Sequence, residues 1–427
     1  IEQHQKNATF PRFYSYTKRF EIKDIYQYVD YDGGFTMKGA NFIGSGTNDN
    51  KAKLNFFIGD TLFLTAYSKN FIFKKDYVTS MGAAVKIRMD EDSIYHPGLL
   101  FNYDVQKKFV RLYRNEEGEA HSPFFNSYHQ MDMSFEEMNW TVGDQFIRFN
   151  KMTSGEGKVH QYVLIDTAKY GKITEDLNLK NKNEDEQITD YRALFESSNF
   201  FRKYRYEKLQ GMDQIHPLEG LRNYYQNFGE TRFTAMDYAD FIAAEYRSVR
   251  QILMRLSYLG LILFDTETDE VILKDKLFNY IDAMSGKIDY DVIQFESVIM
   301  DEEQTYATLD LLNYNLKING VEEIFLSDSQ SVIIWPRDQK ITVKKNRNFD
   351  FDGKILAGYF LFTGSNFKFD YDKFKIRLSD VDYAKFQVPN GRIRMDGSPD
   401  LTTVKTSLEN IHGDVFIDNP NNKSGVK

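Results

Sequence analysis

A mainly β chain interrupted by one helical module is what this sequence predicts, and three observations lead there. Apolar residues fall two apart along much of residues 1–155 and 288–427, short turn signals recur between those runs, and the period becomes helical within residues 191–287. The β part is expected as a solenoid-like or sandwich architecture, elongated in shape, with the α module inserted into it.

In residues 10–149, Leu54, Phe56 and Ile58 fall two apart, Val85, Ile87 and Met89 alternate with smaller or polar residues, and Phe109 to Tyr113 is a short apolar run. Side chains two apart share one face of a strand, so these segments read as half-buried β-strands. Asp32-Gly33-Gly34, Gly44-Ser45-Gly46, Ile58-Gly59-Asp60, His96-Pro97-Gly98 and Glu116-Glu117-Gly118 are expected as turns between them. Beyond Gly155 the chain becomes polar apart from residues 162–165, and residues 180–187 are wholly Asn, Lys, Asp, Glu and Gln. Residues 156–190 are therefore expected as a solvated linker.

Three helices are expected at 218–228, 235–244 and 247–259; in the third, Val249, Ile252, Leu253, Leu256 and Leu259 share one face, and Gly260 stands where a helix would stop. Residues 261–264 and 271–273 bracket Asp265-Thr266-Glu267-Thr268-Asp269 and read as a β-hairpin, followed by a fourth helix at 276–284. From residue 288 the strand pattern returns, clearest where Phe360, Phe362, Phe367, Phe369, Phe374, Ile376 and Leu378 recur between Gly358, Gly364 and Asp370-Tyr371-Asp372. This stretch echoes the start of the chain. Asp32-Gly33, Gly39, Phe42 and Gly44 match Asp352-Gly353, Gly358, Phe362 and Gly364, a repeat-like pattern that would suit stacked coils burying their aromatics on one another. The expected domains are a β domain at 1–155, the linker at 156–190, the helical module at 191–287, and a second β domain at 288–427. Because residues 408–418 still read as a strand, the second β domain is expected to continue in a longer parent chain, and Ile1 in place of Met fits a processed chain or a piece.

Composition removes several classes of function. With 427 residues, 41% hydrophobic and 27% charged, and only 26 Gly and 8 Pro, the chain is neither disordered nor collagen-like. Its net charge of −9 works against phosphate backbones and anionic membranes. No run approaches the ~18 apolar residues of a spanning helix, so no transmembrane segment is expected. The absence of Cys rules out disulfides, thiolate metal sites and cysteine nucleophiles.

The helices and hairpin of residues 218–273 resemble a winged helix, the helix-turn-helix variant whose hairpin wing follows the recognition helix. The resemblance implies that Arg247 and Arg250, with Tyr246, Ser248 and Gln251, would face DNA. The wing departs from the DNA-binding pattern, since it carries Asp265, Glu267, Asp269 and Glu270, and residues 231–280 hold 6 basic against 8 acidic side chains. That sign argues against nucleic acid and for a spacer or protein-contact element. Further phrases, Phe10-Pro11-Arg12-Phe13, Tyr31-Asp32-Gly33-Gly34-Phe35, Gly44-Ser45-Gly46-Thr47, Ser93-Ile94-Tyr95-His96-Pro97-Gly98 and Ser122-Pro123-Phe124-Phe125-Asn126-Ser127-Tyr128-His129, resemble long uncharacterised cell-envelope proteins of Bacteroides-type bacteria. That resemblance implies an exported β protein, periplasmic or at the cell surface, whose partners are other envelope proteins or the rest of its own parent chain.

Motifs that would carry chemistry are missing. There is no G-x-x-x-x-G-K-[ST], no G-x-S-x-G and no H-E-x-x-H, and His121 and His129, the closest pair of the seven His, are spaced for a loop. Asp-x-Asp recurs at Asp30/Asp32, Asp289/Asp291, Asp350/Asp352, Asp370/Asp372 and Asp380/Asp382, and on a strand each pair points one way. Asp350, Asp352, Asp370 and Asp372 are the metal candidates, for calcium if for any cation, although a pair supplies too few of the six to eight oxygens calcium takes. No other cofactor is expected. With 36 Phe and 28 Tyr against 2 Trp, the aromatics read first as core. The expected function is a non-catalytic structural or interaction segment of a large exported envelope protein. The rivals are a glycan-binding or glycan-cleaving β protein, which needs two carboxylates across a cleft, and a DNA-binding regulator.

Overall fold

A computed structural model describes residues 11–15, 18–39, 41–114, 121–151, 191–210, 215–300, 304–327, 332–393, 399–406, 408–409 and 411–426. The expected linker at 156–190, the apolar run at 162–165 and the turn Glu116-Glu117-Gly118 lie outside the described residues. The chain is mainly β, with one large antiparallel sheet system.

Six long strands organise it: Val29–Lys38, Tyr77–Met89, Asp92–Asp104, Val332–Val343, Phe349–Ala357 and Phe360–Asp370. All but Phe349–Ala357, which keeps the same two neighbours from end to end, change partner along their length. Val29–Lys38 pairs with Phe20–Tyr26 and Ala52–Ile58 through its first half, and with Arg12–Tyr14 and Asn41–Ser45 through its second. Tyr77–Met89 likewise passes from Asn70–Phe73 to Thr61–Ser68. Two rows of pairings result, and shared strands join them at both ends of the sheet system. Between those ends the rows separate: one runs through Phe109–Tyr113, Glu137–Thr141, Phe146–Asn150 and Ala307–Asp310, the other through Phe124–Asn126, Met131–Ser134, Tyr191–Ser197 and Gln294–Ile299. Aromatic rings bridge the rows in tilted or edge-on contacts, Phe63 to Trp140 at 4.7 Å, Phe56 to Tyr103 at 5.1 Å and Phe295 to Phe349 at 5.2 Å between centroids. Both expected β regions therefore contribute to one continuous apolar core.

Two of the expected turns, and one further Asp-Gly dipeptide, are not turns. Asp32-Gly33-Gly34, His96-Pro97-Gly98 and Asp352-Gly353 lie inside long strands, near the places where those strands change rows. Local dipeptide chemistry favours a turn there, but tertiary pairing uses the missing side chain instead, to let backbones or rings approach closely. A Cβ on Gly33 would stand 2.4 Å from the Tyr31 hydroxyl, and one on Gly353, at φ 141°, would stand 2.2 Å from the Trp335 carbonyl oxygen. The two echoing segments do form comparable hairpins, turning at Gly39 (φ 61°) and Gly358 (φ 57°).

The helical insert follows Tyr191–Ser197, which pairs with Gln294–Ile299 and so belongs to the large sheet rather than to the insert. Its helices are Lys203–Gln210, Pro217–Phe228, Ala235–Ile242, Tyr246–Tyr258 and Asp275–Met284, and Arg232–Thr234, Ile262–Asp265 and Glu270–Leu273 make a separate three-stranded sheet. Local chemistry sets the boundaries. Pro217 occupies the first turn of its helix, Gly229 closes it at φ 71°, and Thr234 and Asp237 form a reciprocal capping box. Leu218, Leu221, Leu253, Leu256, Phe264, Val271 and Leu277 give the insert a core of its own. Among the described residues no helix is long and apolar enough to cross a membrane.

Candidate functional site: the neck and seam of the helical insert

The insert leaves the sheet at Ser197 and returns at Asp291, and the two crossing segments are tied to each other. Ser197 N–H donates to Ile293 O at 3.0 Å, Phe201 N–H to Asp291 O at 3.1 Å, and Phe200 bridges Asp291 in parallel. Asp291 is fully buried. Its Oδ2 accepts from the hydroxyls of Ser197 and Tyr371, each at 2.7 Å, and its Oδ1 accepts from Ile293 N–H at 3.1 Å.

Arg347 supplies the countercharge. Its Nη1 lies 3.7 Å from Asp291 Oδ2, donates to the Tyr371 hydroxyl at 3.0 Å, and the guanidinium stacks 3.8 Å from the centre of the Tyr371 ring. Arg347 reaches inward because its backbone is left-handed, φ 63°, following Asn346 at φ 55°. That costs a non-glycine residue free energy. The turn is held by Asn346 and Arg347 N–H groups donating to Tyr128 and His129 carbonyls, both at 3.0 Å. His129 is buried below it; Nε2 donates to Tyr314 O at 2.9 Å and Nδ1 accepts from Asn126 Nδ2 at 2.8 Å, which fixes the neutral tautomer. Burial pushes His129 down to about 4. Burial also pushes the Asp291 carboxyl above its ordinary range, against its hydrogen-bond donors and Arg347. The end of the described chain joins the same knot, where Lys423 Nζ lies 4.9 Å from the Tyr371 ring centre and Ser424 Oγ donates to Asp289 at 2.6 Å.

A second set of contacts runs along the insert's side. The Lys276 ammonium pairs with Asp132, Lys274 Nζ rests on the Phe125 ring, and Tyr258 packs on His121 at 4.7 Å. Gly260 seats there because a Cβ would press within 3.0–3.3 Å of Pro123, Phe125 and Asp132. Arg205 pairs with Glu196 at 2.7 Å and Lys69 with Glu267 at 2.7 Å. Chemically, the Asp291 knot is a lock: the carboxylate's described partners are donors from the protein itself, and no exposed nucleophile or acid stands among them.

The residues singled out by sequence are placed elsewhere. Asp350 pairs with Lys344 at 2.5 Å, Asp352 accepts from Asn366 N–H at 2.8 Å, Asp370 accepts from Lys373 N–H at 2.9 Å, and Asp372 accepts from Asn346 Nδ2 at 2.9 Å. Each is engaged by a donor of the chain itself, and among the described residues no three His, Asp or Glu side chains gather where they could hold a metal ion. Arg250 turns inward to Asp269 and donates to Thr266 O at 3.0 Å, while Arg247 is exposed. Tied to Asp269 and Thr266 of the hairpin, Arg250 is turned away from the phosphate-facing role that the resemblance implies. In the sequence Asp289-Tyr290-Asp291 is one of several Asp-x-Asp pairs, and nothing in local spacing joins it to Arg347 or Tyr371.

Comparison with family models, with curated proteins and with solved structures finds no match to this chain.

Proposed function

We propose that this chain is a non-catalytic structural or protein-interaction segment of a large exported bacterial envelope or surface protein. The helical insert acts in it as a winged-helix-like contact element held out from an elongated β scaffold. One observation carries the reading: buried Asp291, Arg347 and Tyr371 are spent on fastening the insert's neck to the sheet. A chain that commits desolvated charge to fixing one module against another is built to hold geometry, since such groups are costly to bury and costly to break apart. The resemblance of its phrases to Bacteroides-type envelope proteins supports export to the periplasm or surface. The acidic wing favours a protein partner over nucleic acid. The test is antibody labelling of intact and of permeabilised native cells. Labelling of intact cells, or only after the outer layer is opened, is expected; recovery solely in the cytoplasmic fraction overturns the reading.

A glycan-binding reading has one observation in its favour. Phe360, 41% exposed, lies in near-parallel contact with Phe362 and Phe386, centroids 5.9 and 5.6 Å apart, beside exposed Tyr359. Rings of this kind can stack on a sugar. Glycan-array binding lost in Phe360→Ala would favour this second reading over the first.

A further inference from the structure

The seam between the insert and the sheet brings one amine and one carboxylate together in a place water hardly reaches. Lys276 opens the helix Asp275–Met284 of the insert, and Asp132 lies on the sheet strand Met131–Ser134. Their side chains are 10% and 9% exposed, and Nζ is in direct contact with Oδ2. Around them stand Phe125, which is the cross-strand partner of Asp132, together with Pro123, Gly260 and the second amine, Lys274.

We propose that Lys276 and Asp132 condense to a side-chain amide, a covalent bolt between the helical insert and the large sheet. An ammonium and a carboxylate become an amide and one water. The Nζ–Cγ bond forms, one Cγ–O bond breaks, and the departing oxygen leaves as water with two of the three ammonium protons, so no oxidant or co-reactant is required. Attack needs a free lone pair on Nζ, hence a group that can take a proton and return it to the departing oxygen. Lys274 is suited to that, because burial pushes its amine down to about 7, reinforced by the Lys276 charge and opposed by Asp132 and Asp275. Fixed contact supplies the rest: effective molarities on the order of 10⁵–10⁸ M are reached when reacting groups are held in place. The product also removes two poorly hydrated charges from the seam.

Intact-mass measurement of the purified, folded chain tests this. The expected result is a mass one water below that of the sequence, with a cross-linked fragment joining the peptides that contain Asp132 and Lys276. Lys276→Arg keeps the cation but cannot form this amide under the same conditions, and should restore the full mass. Lys274→Met should slow the loss after refolding by roughly a hundredfold or more. A wild-type chain of full sequence mass, with no cross-linked fragment after prolonged incubation at neutral pH, overturns the proposal; an unchanged rate in Lys274→Met overturns the role of Lys274.

Discussion

The Tyr371 hydroxyl donates to the Asp291 carboxylate at 2.7 Å while it accepts from Arg347, so a single phenol oxygen sits between the two opposite charges of the neck. Tyr371 follows the strand Phe360–Asp370, and Asp291 is the residue through which the insert rejoins the sheet. The contact thus ties the second β region to the base of the insert across 80 residues of chain.

Removing one side of this arrangement leaves the other buried and unpaired. Asp291→Ala should cost about 3–5 kcal/mol, read as a lower urea midpoint. Tyr371→Phe removes the hydroxyl's hydrogen bonds to both Asp291 and Arg347 and keeps the ring under Arg347, so it should cost at least about 1.5–3 kcal/mol. Equal and negligible effects of both would show that the knot contributes nothing to holding the neck.

Acid should unfasten the turn beneath Arg347. His129 is neutral when folded, its value pushed down to about 4 by burial, whereas the unfolded chain takes up the proton near 6.5. A group depressed by folding contributes stability in full above its unfolded value. That stability is lost as pH falls from about 6.5 toward 4, by roughly 3 kcal/mol in total. Unfolding free energies measured across that window should fall in wild type and flatten in His129→Gln, which starts from a lower plateau.

Much of this fold is legible in the sequence because the periods are local. The helices observed at Pro217–Phe228, Ala235–Ile242 and Tyr246–Tyr258 begin within a residue of expectation, and the hairpin bracketing Asp265 to Asp269 is present. Alternation at Leu54 and Phe56, and at Val85, Ile87 and Met89, corresponds to buried positions. What local pattern could not supply is partner choice. Asp32-Gly33 has turn chemistry, yet distant strands convert it into a crossing inside Val29–Lys38. The knot is further out of reach, because Ser197, Asp291 and Tyr371 are brought together over separations of 94 and 80 residues and no short motif encodes such a pairing. Asp350, Asp352, Asp370 and Asp372 stand out because they are locally paired, yet only Asp350 and Asp370 find their donors nearby in the chain, while Asn366 and Asn346 reach Asp352 and Asp372 across 14 and 26 residues.

Two glycines of the second echoing segment should respond very differently to an added methyl. At Gly358 the Cβ meets open space, so Gly358→Ala should cost only about 1–2 kcal/mol for its left-handed backbone. Gly353→Ala must displace the Trp335 carbonyl in the neighbouring strand, and a loss above about 4 kcal/mol, or failure to fold, is expected. Similar urea midpoints for the two variants would contradict the assignment of Gly353 to a crossing between rows.

Arg250 is expected to matter to the hairpin alone. Arg250→Ala removes its ties to Asp269 and Thr266, and should speed amide exchange across residues 265–270 while lowering stability by about 1 kcal/mol. Arg247→Ala, at an exposed position, should leave both unchanged. Duplex DNA binding that disappears at low salt in both variants would revive the regulator reading.

The contacts at neck and seam join the insert to the sheet, so the two should unfold as one unit, and the chain carries its own reporters for that. Both tryptophans, Trp140 and Trp335, lie in the large sheet system, whereas all the described α-helices lie in the insert. Urea unfolding followed at once by tryptophan emission and by helical circular dichroism should give coincident midpoints and slopes. A helical signal lost at distinctly lower urea, with tryptophan emission still native, would show an insert that folds and melts by itself, uncoupled from the sheet.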